Sequence, residues 1–323
     1  MIDLSIIIVG YKGIKRLKQC LDSLVPIDGE NLKAEVIVVN NCPGDHEFKN
    51  LLGSYPTFRH IENSKNGGYG NGCNLGVSVA NGTFVLILNP DTIITEQALI
   101  KLVDFLKVNP TVMAVSCKQV DETGKESVAW GYFPEYQNLT SVLKKIFSKR
   151  YKIQMIHNEE FSYEIFFPDW ISGSAILMRK NDYQRLNGFD EDFWMYFEDV
   201  DLCRRIRNNG GEIAFCTNIT IEHNHGGSSR INMKTASVTK AEVLISNHIY
   251  ISKHIKGLKK KLIQIFLVIN NVLSLFLVAA VGLIFFFVPK LFLRVRILIH
   301  IIAYYCGCLI RGSWASPRSV NFN

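Results

Sequence analysis

The sequence predicts an α/β fold with a mostly parallel central sheet and C-terminal membrane helices, and three observations predict it. Short apolar runs alternate with stretches of helical spacing through the first 120 residues, the pattern of strands joined by crossover helices. The runs are close to continuously apolar, as strands covered on both faces must be. After Glu242 there is no acidic residue, and 27 uncharged residues run from Leu262 to Val288, enough helix to cross a hydrocarbon core of roughly 30 Å.

Taken in order, "MIDLSIIIVGYKG" carries Asp3 and a six-residue run from Leu4 to Val9, which reads as a buried strand rather than a signal peptide. Lys15 to Leu24 has helical spacing through Leu17, Leu21 and Leu24, and "AEVIVVNN" is a second strand. Residues 63 to 76 are rich in turn formers, "TFVLILNPD" is a third strand, and a helix from about Glu96 to Val108 stops before Pro110. "TVMAVSCKQV" reads as the fourth strand. Residues 121 to 165 show little periodicity beyond a short helix at Leu139 to Phe147 and read as an excursion over a site. "DWISGSAILMRK" returns to a strand. In "FWMYFEDVDLCRRIRNNGG", Val200, Cys203 and Ile206 recur every three residues and Gly210 and Gly211 supply a stop, the marks of a helix with one buried stripe. "GEIAFCTNITIEHNHGGSS" is a further strand ending in a polar loop.

The net charge of +7 sits in the tail. Ten bases follow Glu242, and the first 242 residues hold 26 Lys and Arg against 29 acids. A nucleic-acid-binding body would need a basic face on the folded domain, so that class is excluded. A second apolar run, Ile297 to Ile310, follows Lys290, Arg294 and Arg296. It reads as the return leg of a hairpin or as an interfacial helix with its bases on anionic headgroups. The lysines at 256 to 261 place the preceding domain in the cytoplasm by the positive-inside rule. Eight scattered cysteines without a C-x-x-C pair fit a reduced compartment.

Ligands of parallel sheets collect beyond the carboxyl ends of the strands. Here those ends carry Val9 and Tyr11, Asn40 with Asn41, and Asn89 with Asp91. A charge at Asp91, closing a buried strand, is costly unless a cation or hydrogen bonds meet it. Magnesium or manganese held between that carboxylate and a diphosphate would do so; capping the next helix is the alternative. Glu198, Asp199 and Asp201 crowd into four residues behind Phe193, Trp194, Tyr196 and Phe197. Helix starts favour acids but rarely need three, and crowded carboxylates gather at functional sites. Five glycines lie between Gly67 and Gly76, in neither the dinucleotide nor the Walker spacing. So bare a backbone, with Gly68, Asn71 and Asn74, lets a ligand approach closely or makes a tight turn. His223 and His225 are a metal or diphosphate pair, or structural histidines.

In their order along residues 2 to 255, "SIIIVGYKG", "VIVVNNCPGD", "NGGYGNGCNLG", "LILNPDT", "WISGSAILMRK", "NGFDEDFWMYFEDVDLCRRIRNNG" and "HNHGGSS" resemble the family 2 glycosyltransferases of the GT-A fold. The resemblance is closest to the rhamnosyltransferase-like branch that builds bacterial surface polysaccharides. It implies that Asp91 binds a divalent cation, Mg2+ or Mn2+, against the donor's diphosphate; His223 and His225, on the reading of the residues above, are candidates to join it. Asp199 of the Glu198–Asp199 pair becomes the general base of an inverting transfer. Val9, Tyr11, Asn40, Asn41, Gly68, Asn71 and Asn89 line the donor pocket. Trp170, Gly173 and Ser174 match the floor near the donor sugar and acceptor. Beside the base, Glu198 and Asp201 read as supports that orient Asp199 or bind acceptor hydroxyls, and Trp194 and Tyr196 stack on sugar faces or pack in a core. The family usually has aspartate then asparagine where this chain has Asn40 and Asn41, which leaves the donor nucleotide open between dTDP-rhamnose and a UDP-sugar.

The expectation is therefore a glycosyltransferase domain over residues 1–255 and a membrane tail over 256–323, with a transmembrane helix at 262–288 and a second apolar segment at 297–310. Its partners are a nucleotide-diphospho-sugar, a lipid-linked glycan of O-antigen or capsule assembly, and the inner membrane from its cytoplasmic side. A non-catalytic sugar-nucleotide-binding relative is the alternative.

Overall fold

The computed structural model describes residues 2–27, 32–134, 155–158, 163–224 and 232–322. The helix expected at Leu139 to Phe147, His225 and the "GGSS" loop lie outside them. Two compact units divide the chain: Met1–Asp190 with Glu198–Gly227, and Glu191–Phe197 with Ser228–Asn323.

In the first unit the strands are β1 Leu4–Gly10, β2 Ala34–Asn40, β3 Arg59–Glu62, β4 Phe84–Leu88, β5 Thr92–Ile93, β6 Val112–Val120, β7 Glu126–Ser127, β8 Trp130–Gly131, β9 Ile156–Asn158, β10 Tyr163–Phe166, β11 Trp170–Ile171, β12 Ala175–Arg179 and β13 Glu212–His223. The main sheet runs β3-β2-β1-β4-β12-β6-β13-β10-β9, with β8 and β11 paired separately. Strands β3, β2, β1 and β4 are parallel, β13 is parallel to β6, and β12 enters antiparallel between β4 and β6. This is the mostly parallel α/β sheet that the alternation predicts. Ile6, Ile8, Val38, Leu86 and Leu88 pack with Leu17, Leu21, Leu99 and Leu102 of the helices Ile14–Leu24 and Glu96–Val108, each such side chain contributing about 1.5–3 kcal/mol on burial.

Two elements escape the apolar pattern. β3, "RHIE", is an edge strand with one apolar residue and mostly exposed side chains, and edge strands are commonly polar. The glycine-rich segment is neither loop nor tight turn beyond Gly68: Tyr69–Ser78 is a helix. Each glycine in a helix costs about 1 kcal/mol against alanine, and here the return is proximity. A Cβ on Gly72 would lie 2.7 Å from Val9 Cγ1, and one on Gly76 2.4 Å from Ile7 Cγ2. The helix lies on the sheet at a distance only glycine allows.

The second unit is helical, with Met233–His254, Gly257–Ile284 and Pro289–Arg311. Residues 228–255, expected with the first domain, belong to this unit together with 191–197. The last two helices are long and apolar enough to cross a membrane.

Candidate active site

The carboxyl ends of β4 and β13 bring Asp91 and His223 together, Oδ1 to Nε2 at 3.3 Å. Thr95 caps the helix that follows Asp91, its side chain accepting from Ala98 N, so Asp91 is not consumed as a cap. Asn89 Nδ2 lies 3.4 Å from His223 Nε2. On the far side of the ring, His223 Nδ1 is 2.8 Å from Gln119 Oε1, which also accepts from Ser174 Oγ at 2.9 Å. The Nε2 edge of the ring thus faces both the Asn89 amide and the Asp91 carboxylate, and a divalent cation can lie between carboxylate and imidazole. A carboxylate and an imidazole suit such a cation, with diphosphate oxygens and water completing its shell. Among the described residues no third His, Cys, Asp or Glu joins them, and His225 lies outside those residues.

The Gly173–Ser174 turn connects this pair to the carboxylates. Ser174 O accepts from Asn89 N at 2.9 Å, and Gly173 N donates to Asp199 Oδ2 at 2.8 Å. Tyr69 Oη donates to Gly173 O at 2.9 Å, fixing the turn from the glycine helix. A Cβ at Gly173 would sit 3.5 Å from Asp199 Oδ2, filling the space beside that oxygen.

The three acids of the helix Glu198–Asn208 separate into three environments. Asp201 is 1 % exposed and pairs with Arg205 at 2.7 Å; Arg205 also donates to Leu186 O and Gly188 O. Of the two roles read from the sequence, support of the base or an acceptor contact, a carboxylate buried on Arg205 fits support through packing. Asp199 accepts from Gly173 N and Val200 N. Burial raises its pKa while those two donors pull it back. Glu198 is 5 % exposed and its Oε2 has no hydrogen-bond partner. Burial first, and the Asp199 charge second, push its carboxyl from 4.5 to about 8. At neutral pH Glu198 thus keeps its proton and Asp199 has no ionised neighbour in the pair. Immediately before them Tyr196 and Phe197 hold φ of 69° and 68°, left-handed backbone that costs non-glycine residues about 1–3 kcal/mol each.

Asparagines close the other end. Asn40, 2 % exposed, accepts from Cys42 N at 2.9 Å, and its Nδ2 is unpartnered. A buried donor left bare beyond a strand's carboxyl end can be met by a ligand acceptor. Asn41 is spent within the protein: its Nδ2 donates to Gly68 O at 2.9 Å and Asn66 Oδ1 at 3.2 Å, and its Oδ1 accepts from Asn63. Asn63 also reaches Asn71 Oδ1 at 2.8 Å. Gly68 takes φ 96°, which glycine tolerates. Asn74 holds Phe189 and Tyr183. Val9 is buried at the Gly72 crossing, so its side chain faces helix rather than ligand. Tyr11 is half-exposed beyond β1. Trp170 donates to Tyr132 O at 3.0 Å, its ring closing over Gly131. Trp194 and Tyr196 fall in the second unit, where Arg318 sits 5.9 Å from the Trp194 ring. Gln119, Tyr69 and Asn63 are positioning residues that the sequence does not signal as such. Tyr69 stands inside the quoted "NGGYGNGCNLG", while Gln119 is one polar residue in an apolar strand.

Comparison with known proteins places the chain in a family. The family model described as glycosyl transferase family 2 matches residues 5–170, and one described as the N-terminal domain of galactosyltransferase matches 152–226. The rhamnosyltransferase WbbL of Escherichia coli K12 is 27 % identical over 221 residues, 65 % of this chain and 79 % of WbbL. The low-salt glycan biosynthesis hexosyltransferase Agl10 of Haloferax volcanii is 24 % identical over 234 residues, 69 % of this chain and 67 % of Agl10. The solved structure of the mannosyltransferase PcManGT from Pyrobaculum calidifontis, in complex with GDP-Man and Mn2+, aligns with 98 % of this chain and 76 % of its own, at TM-score 0.52 and 16 % identity. With a GT-A-like α/β sheet and a matching family model over half its length, the chain belongs to glycosyl transferase family 2.

Proposed function

We propose that the protein is an inverting glycosyltransferase that moves a sugar from a nucleotide-diphospho-sugar to a hydroxyl of a lipid-linked glycan. The observation that carries this reading is the single turn, Gly173–Ser174, that ties Asp199 on one side to Asp91 and His223 on the other. A base and a diphosphate site must flank one anomeric carbon, and here they are held by adjacent residues.

Asp199 accepts the acceptor's hydroxyl proton as the oxygen bonds to the anomeric carbon, while the bond from that carbon to the diphosphate oxygen breaks and nucleoside diphosphate leaves. Gly173 N–H orients the carboxylate, and Glu198, protonated, spares it a charged neighbour. Asp91 and His223 would hold a divalent cation, which supplies charge neutralisation to the departing diphosphate. Asn40 offers its free amide to the donor.

A donor screen tests this. Full-length protein in detergent, with membrane lipid extract and Mg2+ or Mn2+, is supplied with dTDP-, UDP- and GDP-sugars, and released nucleoside diphosphate is measured. One donor is expected to turn over, with release lost on chelation. Asp199→Asn is expected to lower turnover by about 10²–10⁴-fold while leaving donor binding intact. Binding of a donor without release by the wild-type chain would favour the non-catalytic reading instead.

A further inference from the structure

The two apolar helices run antiparallel. Asn271 donates to Tyr305 Oη at 3.1 Å, and Gly282 is so close to the second helix that a Cβ would meet Leu291 O at 2.6 Å. On Gly257–Ile284 the buried residues Gln264, Leu267, Asn271, Leu275 and Gly282 form one stripe. Leu262, Phe266, Ile269, Leu273 and Phe276 form the opposite stripe and are exposed. Spacings of four, three, four and three put them on a single helix face.

Bases lie at both ends of that stripe, Lys256, Lys259 and Lys261 before it and Lys290, Arg294 and Arg296 after it, with no acid among them. Charge of that sign around exposed hydrocarbon suits an anionic lipid leaflet. It suits a helix crossing the bilayer and one lying along it equally. The helix Met233–His254 decides between the two. Its His248 bonds Gln264, and its Nε2 lies 2.9 Å from Tyr305 Oη, while Trp314 stacks on the ring at 4.9 Å. Its Ser237 Oγ lies 3.4 Å from His300 Nε2, at the midpoint of Pro289–Arg311. If the pair spanned the bilayer, that midpoint would sit near the bilayer centre. Ser237 would then be there too, with exposed Lys234 and Lys240 within one turn of it, where lysine is strongly disfavoured. Laid flat, the pair keeps this helix in water and turns the Leu262–Phe276 stripe into lipid, together with the exposed Leu277, Leu283, Ile284 and Phe285–Phe287 that continue it.

We propose that residues 257–311 anchor the protein in one leaflet of an anionic membrane, parallel to its surface, without crossing it. This rests on the membrane reading of the tail and replaces the span expected from length and hydropathy. The second helix and the 285–288 turn lie in the same plane, with Lys290, Arg294 and Arg296 on headgroup phosphates.

Depth-resolved quenching tests it. In full-length protein with Cys42, Cys306 and Cys308 replaced by serine, an environment-sensitive dye is placed at Leu262→Cys, Leu273→Cys or Phe286→Cys. Each variant is reconstituted into phosphatidylglycerol-containing vesicles whose lipids carry bromine near the headgroup or near the chain end. Shallow bromines are expected to quench all three sites best, and dithionite added outside is expected to reach none preferentially. Strongest quenching of Leu273→Cys by the deep bromines, with shallow quenching at the other two, would overturn the flat arrangement in favour of a span. No quenching at any site would overturn it by removing the membrane reading as well. Neutralising Lys290, Arg294 and Arg296 to glutamine is expected to weaken binding to anionic vesicles by about fivefold per base and to leave zwitterionic vesicles unaffected.

Discussion

At the scale of single residues the site works by giving neighbouring acids different surroundings. Asp201 is neutralised by Arg205, Asp199 is held by two backbone donors, and Glu198 is buried without a partner for Oε2. The folded chain holds the Glu198 proton up to about pH 8, against 4.5 ordinarily. Stability from this group is therefore full below the ordinary carboxylate range and lost progressively as pH rises to about 8. Glu198→Gln removes that dependence. Thermal unfolding should give the variant a higher Tm than wild type at pH 9, with the difference vanishing near pH 4. A difference independent of pH would mean that Glu198 is ionised in the folded protein. Asp91 and Asp199 stood out in the sequence because charges that end apolar runs or crowd a helix start need a reason, and His223 because a second histidine follows two residues on at a strand end. Gln119 was not, since its partners Ser174 and His223 are 55 and 104 residues away and meet it only through strand order.

At the scale of elements, strands with continuous apolar runs and the helix Glu96–Val108 were legible to within a residue or two. The edge strand β3 and the glycine helix were not, because one buries almost nothing and the other uses a residue type that argues against helix. The packing of the glycine helix makes a paired prediction. Gly76→Ala puts a methyl 2.4 Å from Ile7 Cγ2 and 3.2 Å from Val39 Cγ2, an overpacking that should cost about 1–3 kcal/mol in denaturant unfolding. Gly53→Ala, at the end of the helix His46–Gly53 with nothing within 4 Å, should leave stability unchanged or raise it by up to about 1 kcal/mol. Equal effects of the two would contradict the close contact. Backbone freedom at Gly68 is a separate requirement, tied to the asparagine set that holds the loop.

At the scale of the whole molecule, the second unit is fastened by ion pairs that no local pattern announces. Glu242, fully buried, accepts from Arg318 at 2.7 Å and Ser316 at 2.9 Å; burial raises its pKa and Arg318 opposes the rise. Asp192 takes Lys253 at 2.6 Å and Asn321 at 3.0 Å. Removing one partner of a buried pair strands the other, at about 3–5 kcal/mol. Arg318→Ala should therefore destabilise by about that much near neutral pH, and adding Glu242→Gln should recover most of the loss in a double-mutant cycle. Additive losses would show that the two side chains act independently.

The chain passes between its two units three times, and the short segment 191–197 carries two of those passages. That segment is kept in place by Ser246 Oγ on Met195 O at 2.9 Å, by Lys253 and Asn321 on Asp192, and by Tyr250 near Phe197. It then hands the backbone, through Tyr196 and Phe197, directly to Glu198 and Asp199. For anyone wishing to excise the greasy end to obtain a tractable enzyme, this is an obstacle. A cut at residue 227 spares every residue of the candidate site yet deletes what the seven residues upstream of its base rest on. The tail is a keystone rather than a handle, and shortened versions should be trimmed only after its partners for 191–197 have been redesigned.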